Sequence, residues 1–155
     1  MLCGLPTSGK STFVSKLLEE PAYKNSVVLT TDSYIERVAK ELNKTYNEVF
    51  EDSISEATRQ LELALIEAKD RGKSLIWDQT NLTPKTRKKK LSKIPSSYAR
   101  FAIWFDIALE DALERNQQRP GKMIPENVLR LMSERFVPPS CDEGFDVVIK
   151  EYAND

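Results

Sequence analysis

Residues 4–12 read Gly4-Leu5-Pro6-Thr7-Ser8-Gly9-Lys10-Ser11-Thr12, directly after Met1-Leu2-Cys3. Positions 4–11 fit the pattern G-x-x-x-x-G-K-[S/T] without mismatch. Glycines at both ends let the backbone curl, so that successive N–H groups converge on one anion. The next segment, Lys10–Glu20, repeats apolar Phe13, Val14, Leu17 and Leu18 at helical spacing. The curl therefore feeds a helix, whose positive N-terminal end attracts the same anion. A strand stub at Met1–Cys3, a glycine curl and a helix form the setting in which this motif binds nucleotide phosphates. Gly4, Pro6, Thr7, Ser8, Gly9, Lys10, Ser11 and Thr12 are the expected cradle of ATP. Lys10 reaches the β- and γ-phosphates, and Ser11 coordinates Mg²⁺.

Outward from the loop, short apolar runs alternate with helical patterns. Val27–Thr30, Leu75–Trp77, Ala99–Phe105 and Phe145–Ile149 read as strands. Ala99–Phe105 has the unbroken apolar pattern of a strand buried on both faces. Helices are predicted over Ser33–Leu42, from Ser53 to Arg71, from Pro84 towards Pro95, over Leu109–Gln118 and from Pro125 to about Phe136. Both Thr45-Tyr-Asn-Glu48 and Ser53-Ile-Ser-Glu56 fit the capping-box pattern. The alternation predicts an α/β fold, a parallel sheet flanked by helices on both faces. The first strand is expected centrally in it. No repeat or linker divides the chain, so one domain over 1–155 is expected.

Composition narrows the function classes. The 155 residues are 40% hydrophobic and 30% charged, with a net charge of -1. No global field draws the protein to nucleic acid or membrane. No apolar run is long enough to span a bilayer, and no signal peptide fits ahead of the loop, so a cytoplasmic protein is expected. Cys3 and Cys141 lack metal-type spacing and read as reduced thiols. There is no histidine, which excludes His-based nucleophilic machinery and His-ligated metals and leaves a carboxylate as the expected base. The sequence leaves oligomeric state open.

Asp32 follows the second strand, at the sheet edge where ligands gather. It reads either as the base that takes the proton of a phosphoryl acceptor or as the cap of the helix at Ser33. Asp78 follows the third strand and reads either as a Mg²⁺ ligand or as a turn residue. Arg115 and Arg119 lie four apart on one helix, before the turn Pro120-Gly121-Lys122. They are placed to close over ATP as a lid spanning about 115–125, or to form a solvated basic face. Arg87-Lys88-Lys89-Lys90 with Lys93 is the one basic cluster. It reads either as a track for an acceptor's phosphate backbone or as a solvated face.

Three blocks carry a resemblance: residues 4–12, Asp78-Gln-Thr-Asn-Leu-Thr-Pro84, and Glu114-Arg-Asn-Gln-Gln-Arg119 with Lys122-Met-Ile-Pro125 and Val128-Leu-Arg-Leu-Met132. In this order they resemble the kinase module of the phage 5′-polynucleotide kinase family. The resemblance implies an adenylate-kinase-like three-layer P-loop sandwich with a short lid. It also implies transfer of the γ-phosphate of ATP to a 5′-hydroxyl end of DNA or RNA. Asp32 is then the general base, and Lys10, Arg115 and Arg119 complete the catalytic set. The family places an arginine three residues after the base, and this chain has Ile35 there. Arg37 lies about 200° around a helix from Ile35. Other hydroxyl acceptors (a nucleoside, a sugar, an aminoacyl-tRNA) and a nucleotide-dependent ATPase or switch are the alternative readings.

Overall fold

A computed structural model describes residues 1–152 and orders the elements as the apolar runs predict. They are β1 (Leu2–Cys3), α1 (Lys10–Glu19), β2 (Val27–Leu29), α2 (Asp32–Glu41), α3 (Tyr46–Asp70), β3 (Leu75–Trp77), α4 (Pro84–Leu91), β4 (Phe101–Asp106), α5 (Leu109–Gln117), α6 (Glu126–Arg135) and β5 (Val147–Tyr152). Every strand pairing is parallel, β2 with β3 and β4 with both β1 and β5. Helices cover both faces, and successive side chains of one strand serve different layers. Ile76 packs with Leu2, Val14 and Phe105 under α1. Its neighbour Trp77 packs with Leu29, Leu61 and Leu65 against α3.

Between β3 and β1 the sheet has a seam, so β1 is laddered on one side and not on both as its expected central place required. After Trp77 the chain turns away, with Asn81 in a left-handed conformation (φ 48). No strand remains there to offer β1 a ladder. The seam is closed by Gly4 N–H donating to Thr80 O at 2.9 Å and by Asn81 Nδ2 donating to Leu2 O at 2.6 Å.

Of the two capping boxes, Thr45 starts a helix and Ser53 does not. Thr45 Oγ1 accepts from Glu48 N–H, and Glu48 returns the bond at 2.7 Å. The resulting 25-residue helix runs through Ser53, which is buried. The reason is the i+4 series Val49, Ser53, Ala57, Leu61, Leu65, which keeps one unbroken buried stripe. β4 begins at Phe101 and not at Ala99, because Arg100 N–H already donates to Asp146 Oδ2 at 2.7 Å. Phe101 is 47% exposed, so this strand is not buried on both faces at its start. Among the described residues no helix is long and apolar enough to cross a membrane.

Candidate active site

Gly9 is the N-cap of α1, in the left-handed region at φ 94, and no side chain caps the helix. Its first-turn N–H groups therefore have no side-chain partner from the cap, the arrangement that favours an anion. Gly4 needs to be glycine: a Cβ there would stand 3.0 Å from Ser8 Oγ and 3.2 Å from Phe105 Cβ. Lys10 is buried, and its ammonium donates to Gly4 O at 3.0 Å and Leu5 O at 2.5 Å. Burial draws its pKa down to about 8. A phosphate in the curl would restore the charge balance that burial removes.

Ser11 Oγ donates to Asp78 Oδ2 at 3.1 Å, across 67 positions of sequence. Asp78 leaves β3 with its N–H on Leu29 O at 3.0 Å, which aims its carboxylate at the loop. Burial pushes that carboxyl upward, a cost that a cation beside it would offset. Hydroxyl and carboxylate are the hard oxygen donors that Mg²⁺ takes, with water and nucleotide phosphate filling its other positions. The residues fit the ion. Among the described residues no cluster of three or more His, Cys, Asp or Glu offers another metal site.

Asp32 is the first residue of α2, and Thr31 holds the N-cap position. Its carboxylate makes no cap. Oδ1 accepts from Tyr46 Oη at 2.9 Å, and Oδ2 pairs with Lys122 Nζ at 2.7 Å. The helix-cap reading of Asp32 is thereby corrected. Its partners pull the carboxylate sideways into a pocket of about 530 Å³ shared with Lys10, Ser11, Asp78, Arg119 and Lys122.

Arg115 and Arg119 do not share a helix face. α5 ends at Gln117, and Arg119 N–H makes a tight turn to Asn116 O at 3.2 Å. Pro120 dictates this, since the residue before a proline is disfavoured in helical conformation. Arg119 lines the pocket of Asp32, whereas Arg115 lines a second pocket of about 690 Å³ with Thr7, Gly9, Thr12, Phe13 and Tyr152. The two arginines reach the loop through different pockets.

The turn after Arg119 is docked on the start of α3. Asn47 N–H donates to Gly121 O at 3.0 Å and Asn47 Nδ2 to Met123 O at 2.8 Å. A Cβ on Gly121 (φ 72) would lie 2.9 Å from Thr45 Cβ. Asn116, buried, holds Ile124 through both its amide atoms. Tyr46, Asn47, Asn116 and Lys122 were absent from the predicted site, as was Glu36, which pairs with Lys122 at 2.7 Å. The Thr45 capping box makes Tyr46 the first residue of a helix and carries no signal of its bond to Asp32.

Three cations of the basic cluster, Arg87, Lys90 and Lys93, are tied into the fold. Arg87 is fully buried, paired with Glu143 at 2.7 Å and donating to the carbonyls of Asn81 and Val137. Lys90 bonds Gln79 and Asn81 and lies 5.2 Å from the Trp77 ring centroid. Lys93 pairs with Glu62. Only Lys88 and Lys89 stay exposed. Helical spacing put the cluster's alternate members inside, which a run of charges does not reveal. Ile35 is fully buried beside Ala39, Val49 and Ala57. Arg37 pairs with Glu41 on the exposed side of α2, so no arginine replaces the missing one from this helix. Both cysteines are free thiols, Cys3 buried and Cys141 exposed.

A family model described as AAA domain matches residues 1–139. An L-seryl-tRNA(Sec) kinase of Methanococcus maripaludis is 29% identical over 150 residues, 95% of this chain and 55% of its own. The chain thus spans about half the length of that curated relative. Among solved structures, a protein of Chloroflexus aurantiacus provisionally named a kinase aligns with TM-score 0.67 and 18% identity, over 97% of this chain and 85% of its own. A gluconokinase from Sinorhizobium meliloti aligns with TM-score 0.59 and 16% identity, over 99% and 81%. At these identities the two structures share its fold, a parallel sheet flanked by helices.

Proposed function

The chain belongs to the AAA domain family and has a P-loop kinase-like fold, and from that premise we propose that it transfers the γ-phosphoryl group of ATP to a hydroxyl acceptor. One observation carries the reading. Asp32 stands in the same pocket as Lys10, Ser11 and Asp78, with a carboxylate that no helix N–H occupies. A switch needs no such base beside its phosphate loop.

In this reading the backbone curl and Lys10 hold the β- and γ-phosphates, and Ser11 with Asp78 holds the metal. Bound Mg²⁺ would neutralise charge on the β- and γ-oxygens. Asp32 accepts the proton of the acceptor hydroxyl as its oxygen bonds to the γ-phosphorus. The bond from that phosphorus to the β–γ bridging oxygen breaks, and ADP leaves with its electron pair. Arg119 faces the charge on the transferred group, and Arg115 holds the nucleotide from the other side. Residues 115–125 act as the lid, within one domain over 1–155.

For the acceptor we favour a hydroxyl on an aminoacyl-tRNA. The support is the relative of that activity and the absence of the arginine that a 5′-end family places at Ile35. A DNA or RNA 5′-hydroxyl end is the second reading, resting on the three sequence blocks. The test is label transfer from γ-labelled ATP to seryl-tRNA and to a 5′-hydroxyl oligonucleotide. Label in seryl-tRNA alone is expected. Label in the oligonucleotide alone would overturn this choice of acceptor.

A further inference from the structure

Gln79 lines the pocket of Asp32 with one end of its side-chain amide already occupied. Trp77 Nε1–H donates to Gln79 Oε1 at 3.0 Å, and Lys90 Nζ donates to the same atom at 2.6 Å. An atom that accepts from an indole N–H and an ammonium must carry lone pairs, so this end of the amide is the oxygen. Both donors are themselves fixed. Trp77 is buried at the end of β3, and Lys90 also bonds Asn81 Oδ1. Asn81 is buried in turn, and its Nδ2 holds Leu2 O at 2.6 Å. The amide is thus pinned by its oxygen, and its NH2 group is left over. Among the described residues nothing accepts from that nitrogen, and it is not one of the buried polar atoms without a partner, so it meets open space. The open space that Gln79 lines holds Asp32, Arg119 and Lys122, and Gln79 has no part in the pocket of Arg115. β2 and β3 run parallel with Leu29 opposite Trp77, so the segments leaving them emerge side by side. One carries Asp32 and the other Asp78 and Gln79.

We infer that Gln79 Nε2 donates a hydrogen bond to a second oxygen of the acceptor and so sets the orientation in which the reacting hydroxyl meets Asp32. This rests on the phosphotransferase reading and deepens it. The ligand class is an alcohol with a carbonyl, ether or further hydroxyl oxygen a few bonds from the one that reacts. Turning the amide over would set its NH2 against the Trp77 N–H and the Lys90 ammonium, so the donor is arranged before the acceptor arrives. An alcohol without the second oxygen leaves that donor unpaired in the complex, which costs affinity.

The test is label transfer from γ-labelled ATP to seryl-tRNA, and to the 5′-hydroxyl oligonucleotide where the wild-type protein labels that. Gln79→Glu keeps an oxygen for Trp77 and Lys90 and exchanges the NH2 for a second oxygen. Gln79→Met removes the donor and adds no charge. Each should lower kcat/KM for the acceptor about five- to tenfold, the scale of one neutral hydrogen bond, and leave the KM for ATP unchanged. Gln79→Glu should also keep the melting temperature, since its internal bonds persist. Unchanged acceptor kinetics in either variant overturn the inference and leave the kinase reading standing. Equal rises in the KM for ATP and for acceptor overturn it too, because they mark a residue that only supports the fold. If the wild-type protein labels neither acceptor, the transferase reading itself falls and the inference falls with it.

Discussion

Lys122 and Asp32 form an ion pair at 2.7 Å that ties the turn after α5 to the first residue of α2, 90 positions away in sequence. Asp32 is 44% exposed in this pair, so the contact contributes under about 1 kcal/mol. It positions the carboxylate without locking it. With Tyr46 on its other oxygen, Asp32 is oriented from two elements and can still exchange a partner for a substrate proton.

Asp32→Asn keeps the shape and loses the base. The rate of phosphoryl transfer should fall about 10²-fold or more, with ATP affinity and fold stability nearly unchanged. Transfer at the wild-type rate would reduce Asp32 to a tether for Tyr46 and Lys122. Rapid-quench kinetics on both proteins settles it.

Lys10 gives a pH signature. Burial lowers its pKa from 10.5 to about 8 in the folded protein. Between those values the unfolded chain holds a proton that the folded chain has released, so stability rises with pH through that window. The penalty is full below pH about 8 and gone above 10.5. Relative to Lys10→Met, the wild-type protein should gain stability between pH 8 and pH 10 in urea unfolding. Its ATP affinity should weaken over the same range as the ammonium is lost. Parallel pH profiles for the two proteins would contradict this.

Arg115 and Arg119 line different pockets, so their losses should differ in kind. Arg119→Ala should lower kcat, by up to about 10³-fold for an arginine on the transferred phosphoryl. Arg115→Ala should mainly raise the KM for ATP. Identical kinetic defects would mean the two act as one unit, as a shared helix face implied.

Arg87 is a structural cation. Its pair with Glu143 has side-chain exposures of 0% and 5%. Arg87→Met should cost about 3–5 kcal/mol, since it strands a buried carboxylate. The melting temperature should drop by about 10 °C. Lys88→Ala with Lys89→Ala should leave it within a degree or two. If the lysine pair weakened acceptor binding instead, the cluster would be a phosphate track after all.

The loop and its helix were legible because glycines and a basic residue at fixed spacing have few other uses. The elements followed from periodicity, and Asp78 was read as a metal ligand or a turn residue from its place after β3, without its bond to Ser11. What stayed hidden depends on tertiary neighbours. Tyr46 on Asp32 joins two helices, and no pattern within either reports the contact. The inward turn of Arg87 depends on Glu143, 56 residues on. The split of Arg115 from Arg119 came from Pro120, a local signal that the four-residue spacing overrode.

The central claim, transfer to a hydroxyl and not to water, is tested most directly by stoichiometry. ADP formed and phosphorylated acceptor formed are counted together in one reaction with γ-labelled ATP and seryl-tRNA. The account predicts one phosphorylated acceptor per ADP, with little ADP when acceptor is left out. ADP accumulating at the same rate with or without acceptor, and inorganic phosphate as the labelled product, would contradict it and mark the protein as an ATPase.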